Sequence, residues 1–101
     1  MAFSKRDWEK LIRHLAKDAS NVFYADHVLV RMKGRNITQA MVFDVLTKGV
    51  IQLEPEIDIK HGDTHCRMQR FVAGRNLGVV VACEDENAIE CLVVTAFIIG
   101  E

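Results

Sequence analysis

Asp26-His27-Val28-Leu29-Val30-Arg31-Met32-Lys33-Gly34-Arg35-Asn36-Ile37-Thr38 reads as a short helix, a stop, and the cap of a second helix. Asp26 is placed to accept an orphan N–H of the first turn. Gly34 is the residue able to turn left-handed without a side-chain penalty, and so to end the helix. Thr38 is the cap of the helix that follows. Val28, Leu29 and Met32 make the apolar side. His27 and Arg31 are four apart and share a face beside it, which places them at a helix–sheet junction, partly exposed. Arg35, just past the stop, is expected to fold back toward them. One imidazole and two guanidinium groups then line a single concave surface.

Toward the N-terminus, Trp8, Leu11, Ile12, Leu15, Ala16 and Ala19 follow the spacing of one helical face. Ser4 and Asp7 have capping-box spacing, and Phe3 and Trp8 stand where a hydrophobic staple puts them. Lys5, Arg6, Lys10, Arg13, His14 and Lys17 fall mostly on the wet side, and Asn21 can stop the helix. Toward the C-terminus, a third helix spans Gln39 to Lys48 with Met41, Val42, Val45 and Leu46 inward and Gly49 as its stop.

After Gly49 the period changes to two. Ile51, Leu53, Ile57 and Ile59 alternate with polar residues, as in an edge strand with one wet face. Pro55 interrupts it, as befits a residue that cannot donate to a ladder. His61-Gly62-Asp63 is a turn. Thr64 to Ala73 is a strand with Cys66, Met68 and Val72 on one side and His65, Arg67, Gln69 and Phe71 on the other. Gly74-Arg75-Asn76 is a second turn. Leu77 to Cys83 is apolar on both faces and therefore central. Glu84-Asp85-Glu86-Asn87 is an acidic turn, and Ala88 to Ile99 is the last strand, expected to pair antiparallel with Leu77–Cys83. The fold class is α+β, with three helices packed on one face of a four-stranded antiparallel meander. Residues 1–101 make one domain, in which 1–21 are an added N-terminal helix and 22–101 the core.

Composition narrows the function classes. The chain has 101 residues, half of them hydrophobic, and a formal net charge of −1. It is not a disordered tail, and no global positive field recruits nucleic acid, so such binding needs a local patch. The lack of a membrane-length apolar run and of a signal-peptide core leads to a cytoplasmic expectation without a membrane partner. Cys66, Cys83 and Cys91 are odd in number, lack Cys-x-x-Cys spacing, and fall in strands, where cysteine behaves as a small apolar residue. His61 and His65 flank a turn without further ligands at fitting spacing, so neither a metal nor a cofactor is expected. The apolar end Phe97-Ile98-Ile99 needs a cover, and a homodimer is one way to supply it.

The pattern His27-x-x-x-Arg31-Met32-x-x-Arg35-x-Ile37-Thr38 resembles the opening of a bacterial and phage family of unknown function. Val93-Val94-Thr95-Ala96-Phe97 resembles that family's closing strand, and Gly74-Arg75-Asn76-Leu77 its turn before an apolar strand. The resemblance spans roughly Phe23 to Phe97. It departs at Val28 (usually Ala), Asn36 (usually Gly), Phe97 (usually Tyr), and Gln39 and Ala40 (usually acidic). The family is grouped with BrnT- and RelE-like toxins, so the resemblance implies a RelE/BrnT-toxin-like fold, RNA as a target and a cognate antitoxin as partner.

A metal-independent ribonuclease turns the RNA 2′-hydroxyl into a nucleophile. It needs a group that titrates near neutrality and fixed positive charge on the phosphate. Histidine supplies the first and arginine's planar fork the second. The expected catalytic residues are His27, Arg31 and Arg35, with a hydrogen bond from Thr95, and Arg67 and Arg75 are expected to hold the flanking RNA backbone. The function expected is a toxin-like endoribonuclease. The alternative is a non-catalytic protein-interaction domain of a phage or plasmid accessory protein. There His27 locks the helix to the sheet, Arg31 pairs with Asp26, Asp44 or Glu54, and Arg35 satisfies backbone carbonyls.

Overall fold

The structure, a computed structural model, describes residues 3–100. Helix α1 (Lys5–Ala16) begins with the expected capping box. The Ser4 hydroxyl accepts from Asp7 N at 3.2 Å, and the Asp7 carboxylate accepts from Ser4 N at 2.9 Å. Phe3 and Trp8 meet edge to face with ring centres 5.0 Å apart, which fixes the angle of entry. The helix buries Trp8, Ile12, Leu15 and Ala16. Asn21 closes the connection by donating from Nδ2 to the Leu15 carbonyl at 3.2 Å.

Strand β1 (Val22–Tyr24) comes next, then α2 (Val28–Gly34) and α3 (Gln39–Lys48). The last of these has the expected boundaries, with Thr38 Oγ1 accepting from Met41 N at 3.1 Å. The caps of α2 differ from expectation. Asp26 does not cap it; His27 occupies the N-cap with a left-handed backbone (φ 68°) and makes no side-chain cap bond. At the other end, Gly34 is the last helical residue, and the left-handed residue is Asn36 (φ 57°). Ile37 N donates to the Met32 carbonyl at 2.8 Å and Asn36 N to the Lys33 carbonyl at 3.2 Å. This is a Schellman closure, in which two orphan carbonyls are satisfied by the reversing chain. Its accompanying contact joins Met32 and Ile37, both buried. Asparagine serves because its short side chain tolerates this backbone.

The sheet has six strands, not four, and is mixed. After α3 come β2 (Val50–Ile51), β3 (Glu56–Ile57), β4 (Thr64–Val72), β5 (Arg75–Cys83) and β6 (Cys91–Ile98). The order is β1-β6-β5-β4-β2, with β3 also on β4. The central antiparallel pairing of β5 with β6 is as expected. Two corrections concern the edges. The residues leading into α2 form β1, which adds parallel to β6 with Val22 opposite Cys91. The expected edge strand is split at Pro55 into β2 and β3, which touch β4 at separate registers. Ile57 and Ile59 do not turn into the core, and Ile59 is 97% exposed.

Glycine at position 49 serves close approach, not reversal. Its φ is −76°, and a Cβ there would meet the Val45 carbonyl and stand 2.8 Å from the Gln69 carbonyl. The core lies between the helices and the inner sheet face, built from Ile12, Met32, Val42, Leu46, Met68, Leu77, Val79 and Val93. Ile98 packs on this core, so the chain itself covers part of its apolar end. The other sheet face is open apart from the β2–β3 segment, whose Leu53, Glu54 and Glu56 line a cleft with His65, Arg67 and Val80. Phe23, His65, Arg67, Phe71, Val80, Thr95 and Phe97 lie on this face.

The turn before β5 also shifts. Val72 pairs with Arg75, so the two-residue loop is Ala73-Gly74, and Arg75 belongs to the strand. Both loop residues have positive φ (52° and 79°), the requirement of a type I′ turn, for which Asn-Gly is the preferred pair. Alanine pays a steric penalty there. Replacing Ala73 by Asn should therefore stabilise the protein by about 0.5–1 kcal/mol. Thermal unfolding followed by circular dichroism should show Tm rising by roughly 2–8 °C.

Candidate functional site

The helix end of α2 and the start of β5 build one cleft. The reversed chain at Asn36 brings the last carbonyls of α2 toward the sheet. Arg75 reaches them: Nη1 donates to the Arg35 carbonyl at 3.0 Å and Nη2 to the Asn36 carbonyl at 2.6 Å. Arg35 reaches the other way, its Nη1 donating to the Ala96 carbonyl of β6 at 2.7 Å. β1 pairs with β6 only as far as Val93, so Arg35 serves a stretch of strand edge that β1 leaves free. Between these groups is a cleft of about 460 Å³ lined by Gly34, Arg35, Asn36, Arg75, Phe97 and Ile98. Among the described residues none of its lining groups is a carboxylate, so its field is that of two guanidiniums.

Phe97 belongs to the cleft and also to the open sheet face. It lies opposite Gly78 on β5. A Cβ on that glycine would stand 2.8 Å from the ring's Cζ, so the bare strand leaves room for the ring to lie across it. The Arg67 guanidinium stands 5.9 Å from the ring centre, within cation–π range. Arg67 donates from Nη2 to Gln69 Oε1 at 3.1 Å, while its buried Nε has no acceptor among the described residues. Arg67 and Thr95 both sit opposite Val80 on neighbouring strands, which places them in one row of the open face.

The expected site residues thus separate into groups. Arg35 and Arg75 share the cleft. Arg67 and Thr95 share the sheet face, linked to the cleft through Phe97. His27 and Arg31 line neither, and both are exposed on the outer side of α2 instead of half-buried at a junction. Helical rise sets His27 about 12 Å from Arg35 along the axis, so the three form a track and do not converge on one point. The expected ion-pair partners of Arg31 are engaged elsewhere. Asp44 pairs with Arg70 at 3.1 Å and Lys48 at 3.5 Å, and Glu54 with Lys5 at 3.6 Å. Among the described residues neither His27 nor Arg31 has a side-chain hydrogen bond or ion pair.

Residues 24–98 match the family model described as Domain of unknown function (DUF4258). The chain belongs to this family. No curated protein and no solved structure matches it. Every site residue above lies inside the DUF4258 segment. Helix α1 precedes it, yet the helix contributes the fully buried Ile12 to the same core. Among the described residues no helix is long and apolar enough to cross a membrane.

The arginines stand out in the sequence by residue type, whereas the role of Phe97 does not. The signal was Gly78: a glycine inside an apolar central strand marks a place where something large comes close. A second cluster was also missed. Asp58, His61 and Asp63 gather at the turn between β3 and β4. The hydrogen bond from His61 holds the Asp58 carboxyl below its usual range, and Asp58 in turn raises the His61 imidazole.

The cysteines are buried and free. Burial pushes Cys66 up to about 12 and Cys91 up to about 11, and raises Cys83 as well. A thiolate nucleophile is therefore not part of this site. All three thiols should resist a thiol reagent in the native protein at pH 8 and react fully after denaturation; fast native labelling of any one would contradict the burial.

The contacts also rank substitutions by stability. Arg35→Ala leaves a part-buried carbonyl of Ala96 unpaired and should cost about 1–2 kcal/mol. His27→Ala and Arg31→Ala remove exposed, unpartnered side chains and should stay within roughly ±0.5 kcal/mol. Urea unfolding of the three variants measures the order directly.

Proposed function

We propose that this DUF4258 protein is a toxin-like endoribonuclease, related to the BrnT/RelE-like toxins, that binds RNA along the α2 flank and cleaves it by metal-independent acid–base chemistry. The observation that carries this reading is the cleft of Arg35, Arg75 and Phe97: two permanent positive charges and an aromatic ring, without a carboxylate, in a chain whose net charge is −1. Phosphate oxygens suit the guanidiniums, and a base can stack on the ring. Arg67 adds a third guanidinium 5.9 Å from the Phe97 ring, on a stretch of surface it shares with Glu54 and Glu56. His27 and Arg31 are exposed and can meet a neighbouring phosphate, since no partner among the described residues holds their side chains. In this reading His27 takes the 2′-hydroxyl proton and Arg31, one turn along α2, stabilises charge on the phosphorane, while Arg35, Arg67 and Arg75 hold the flanking backbone and Thr95 adds a hydrogen bond to it. Arg35 and Arg75 keep structural bonds to carbonyls, so they fix the cleft as well as charging it.

The open sheet face favours a second reading, a non-catalytic protein-interaction domain. Phe23 is 49% and Phe71 66% exposed there, and exposed aromatics on one face suit a protein partner such as a cognate antitoxin or a second copy.

Cleavage and stability measured on the same purified variants separate the two. With single-stranded RNA and a chelator present, the wild type should yield 2′,3′-cyclic phosphate ends. His27→Ala should lose at least about 100-fold in rate with Tm unchanged. Arg31→Lys should also be impaired, because a point charge does not reproduce a bidentate fork. RNA left intact by the wild type would leave the interaction reading.

A further inference from the structure

At the opposite end of the strands from the arginine cleft, the turn joining β3 to β4 brings side chains of a different chemistry together. The donor atoms of Asp58, His61 and Asp63 all lie within 4.8 Å of one another. His61 Nδ1 stands 2.9 Å from Asp58 Oδ2, and His65 Nε2 stands 4.0 Å from the same oxygen. The turn is held by its backbone: Asp58 N donates to the Asp63 carbonyl at 2.8 Å, Gly62 N donates to the Asp58 carbonyl at 2.6 Å, and Gly62 supplies the left-handed residue at φ 81°.

Independently of that clustering, Asp63 carries a polar atom with nothing to satisfy it. Its Oδ1 is buried and has no hydrogen-bond partner among the described residues. A buried carboxylate oxygen without a donor is costly, and a cation beside it removes the cost. We propose that Asp58, His61 and Asp63 form a site for one divalent first-row transition ion, with His65 as a fourth donor within reach.

The spacing suits such an ion. Two donors at right angles, each about 2.1 Å from a metal, stand about 3.0 Å apart, close to the 2.9 Å between His61 Nδ1 and Asp58 Oδ2. The ion replaces the proton those atoms now share, so the imidazole binds neutral and the proton leaves to solvent. Mixed imidazole and carboxylate donors suit zinc, manganese, iron or cobalt, whereas calcium calls for six or more oxygens. His61 and Asp63 also line a cleft of about 530 Å³ whose other walls include Phe23, Ala82, Leu92, Glu84 and Glu90. The two glutamates add negative potential that favours a cation, and an ion held from the turn keeps coordination positions open toward this cleft. None of this depends on the RNA reading, which uses other residues at the other end of the sheet.

Titration of the full chain with Co²⁺, read by its visible absorption and followed by displacement with Zn²⁺, tests the assignment. One equivalent should bind in the micromolar range. His61→Ala and Asp63→Asn should each weaken binding at least tenfold, with far-UV circular dichroism unchanged, while His14→Ala on α1 should leave it as in the wild type. Should His61→Ala fail to fold, Asp63→Asn decides alone. Absence of binding up to millimolar Co²⁺, or binding that Asp63→Asn leaves intact, would overturn the site.

Discussion

The structure hangs on how the end of α2 is tied to the sheet. Seven helical residues cannot hold themselves together in water, and α2 is no longer than that. What holds it is a set of backbone carbonyls gripped from both directions. The left-handed Asn36 turns the chain so that Ile37 drops beneath Met32. Arg75 then clasps the Arg35 and Asn36 carbonyls from β5, and Arg35 clasps the Ala96 carbonyl on β6. Charge-assisted bonds of this kind are stronger than neutral ones, and here they cross between layers, as do the Asp44–Arg70 pair from α3 to β4 and the bond from Ile51 N to Glu9 on α1. The cleft exists because the clasp exists, so the charges at its mouth are also its scaffold.

That double duty bears on how a ligand can use the site. Arg35 and Arg75 each spend donors on carbonyls, and only the remaining N–H groups are available to an anion. His27 and Arg31 spend none. A ligand that contacts both groups would find two guanidiniums tied to carbonyls at one end and two exposed side chains at the other, joined by a helix whose rise keeps them apart.

The sequence was readable where the signal is local. The capping box of α1, the staple of Phe3 on Trp8, the boundaries of α3 and the β5–β6 pairing all follow from neighbours in the chain, and all appear in the structure. Reading failed where the partner is distant or the backbone choice is rare. Val22-Phe23-Tyr24 is too short to announce a strand, and its pairing is parallel to residues near the other end of the chain. Alternation from Ile51 to Ile59 suggested one inward face, but nothing covers the second half of it. Ala73 and His27 take positive φ, which neither residue type advertises. At the site, residue types were legible and their grouping was not. Helical spacing set His27 one turn from Arg31, but the expected convergence with Arg35 ignored the length of two helical turns. The clustering of Asp58 with His61 and Asp63 became visible only once the hairpin had closed.

The parallel pairing of β1 with β6 also has a consequence in time. A chain leaving the ribosome presents Val22–Tyr24 well before Cys91–Val93. Until the final strand emerges, β1 has no neighbour, β5 lacks its central hairpin partner, and Arg35 has no Ala96 carbonyl to grip. The sheet therefore cannot close before β6 has emerged, and contacts this far apart in sequence slow the search for the native state. Through that interval Phe23 and the apolar face of α2 remain without their sheet neighbours. The nascent chain is then most open to capture by chaperones or by other nascent copies.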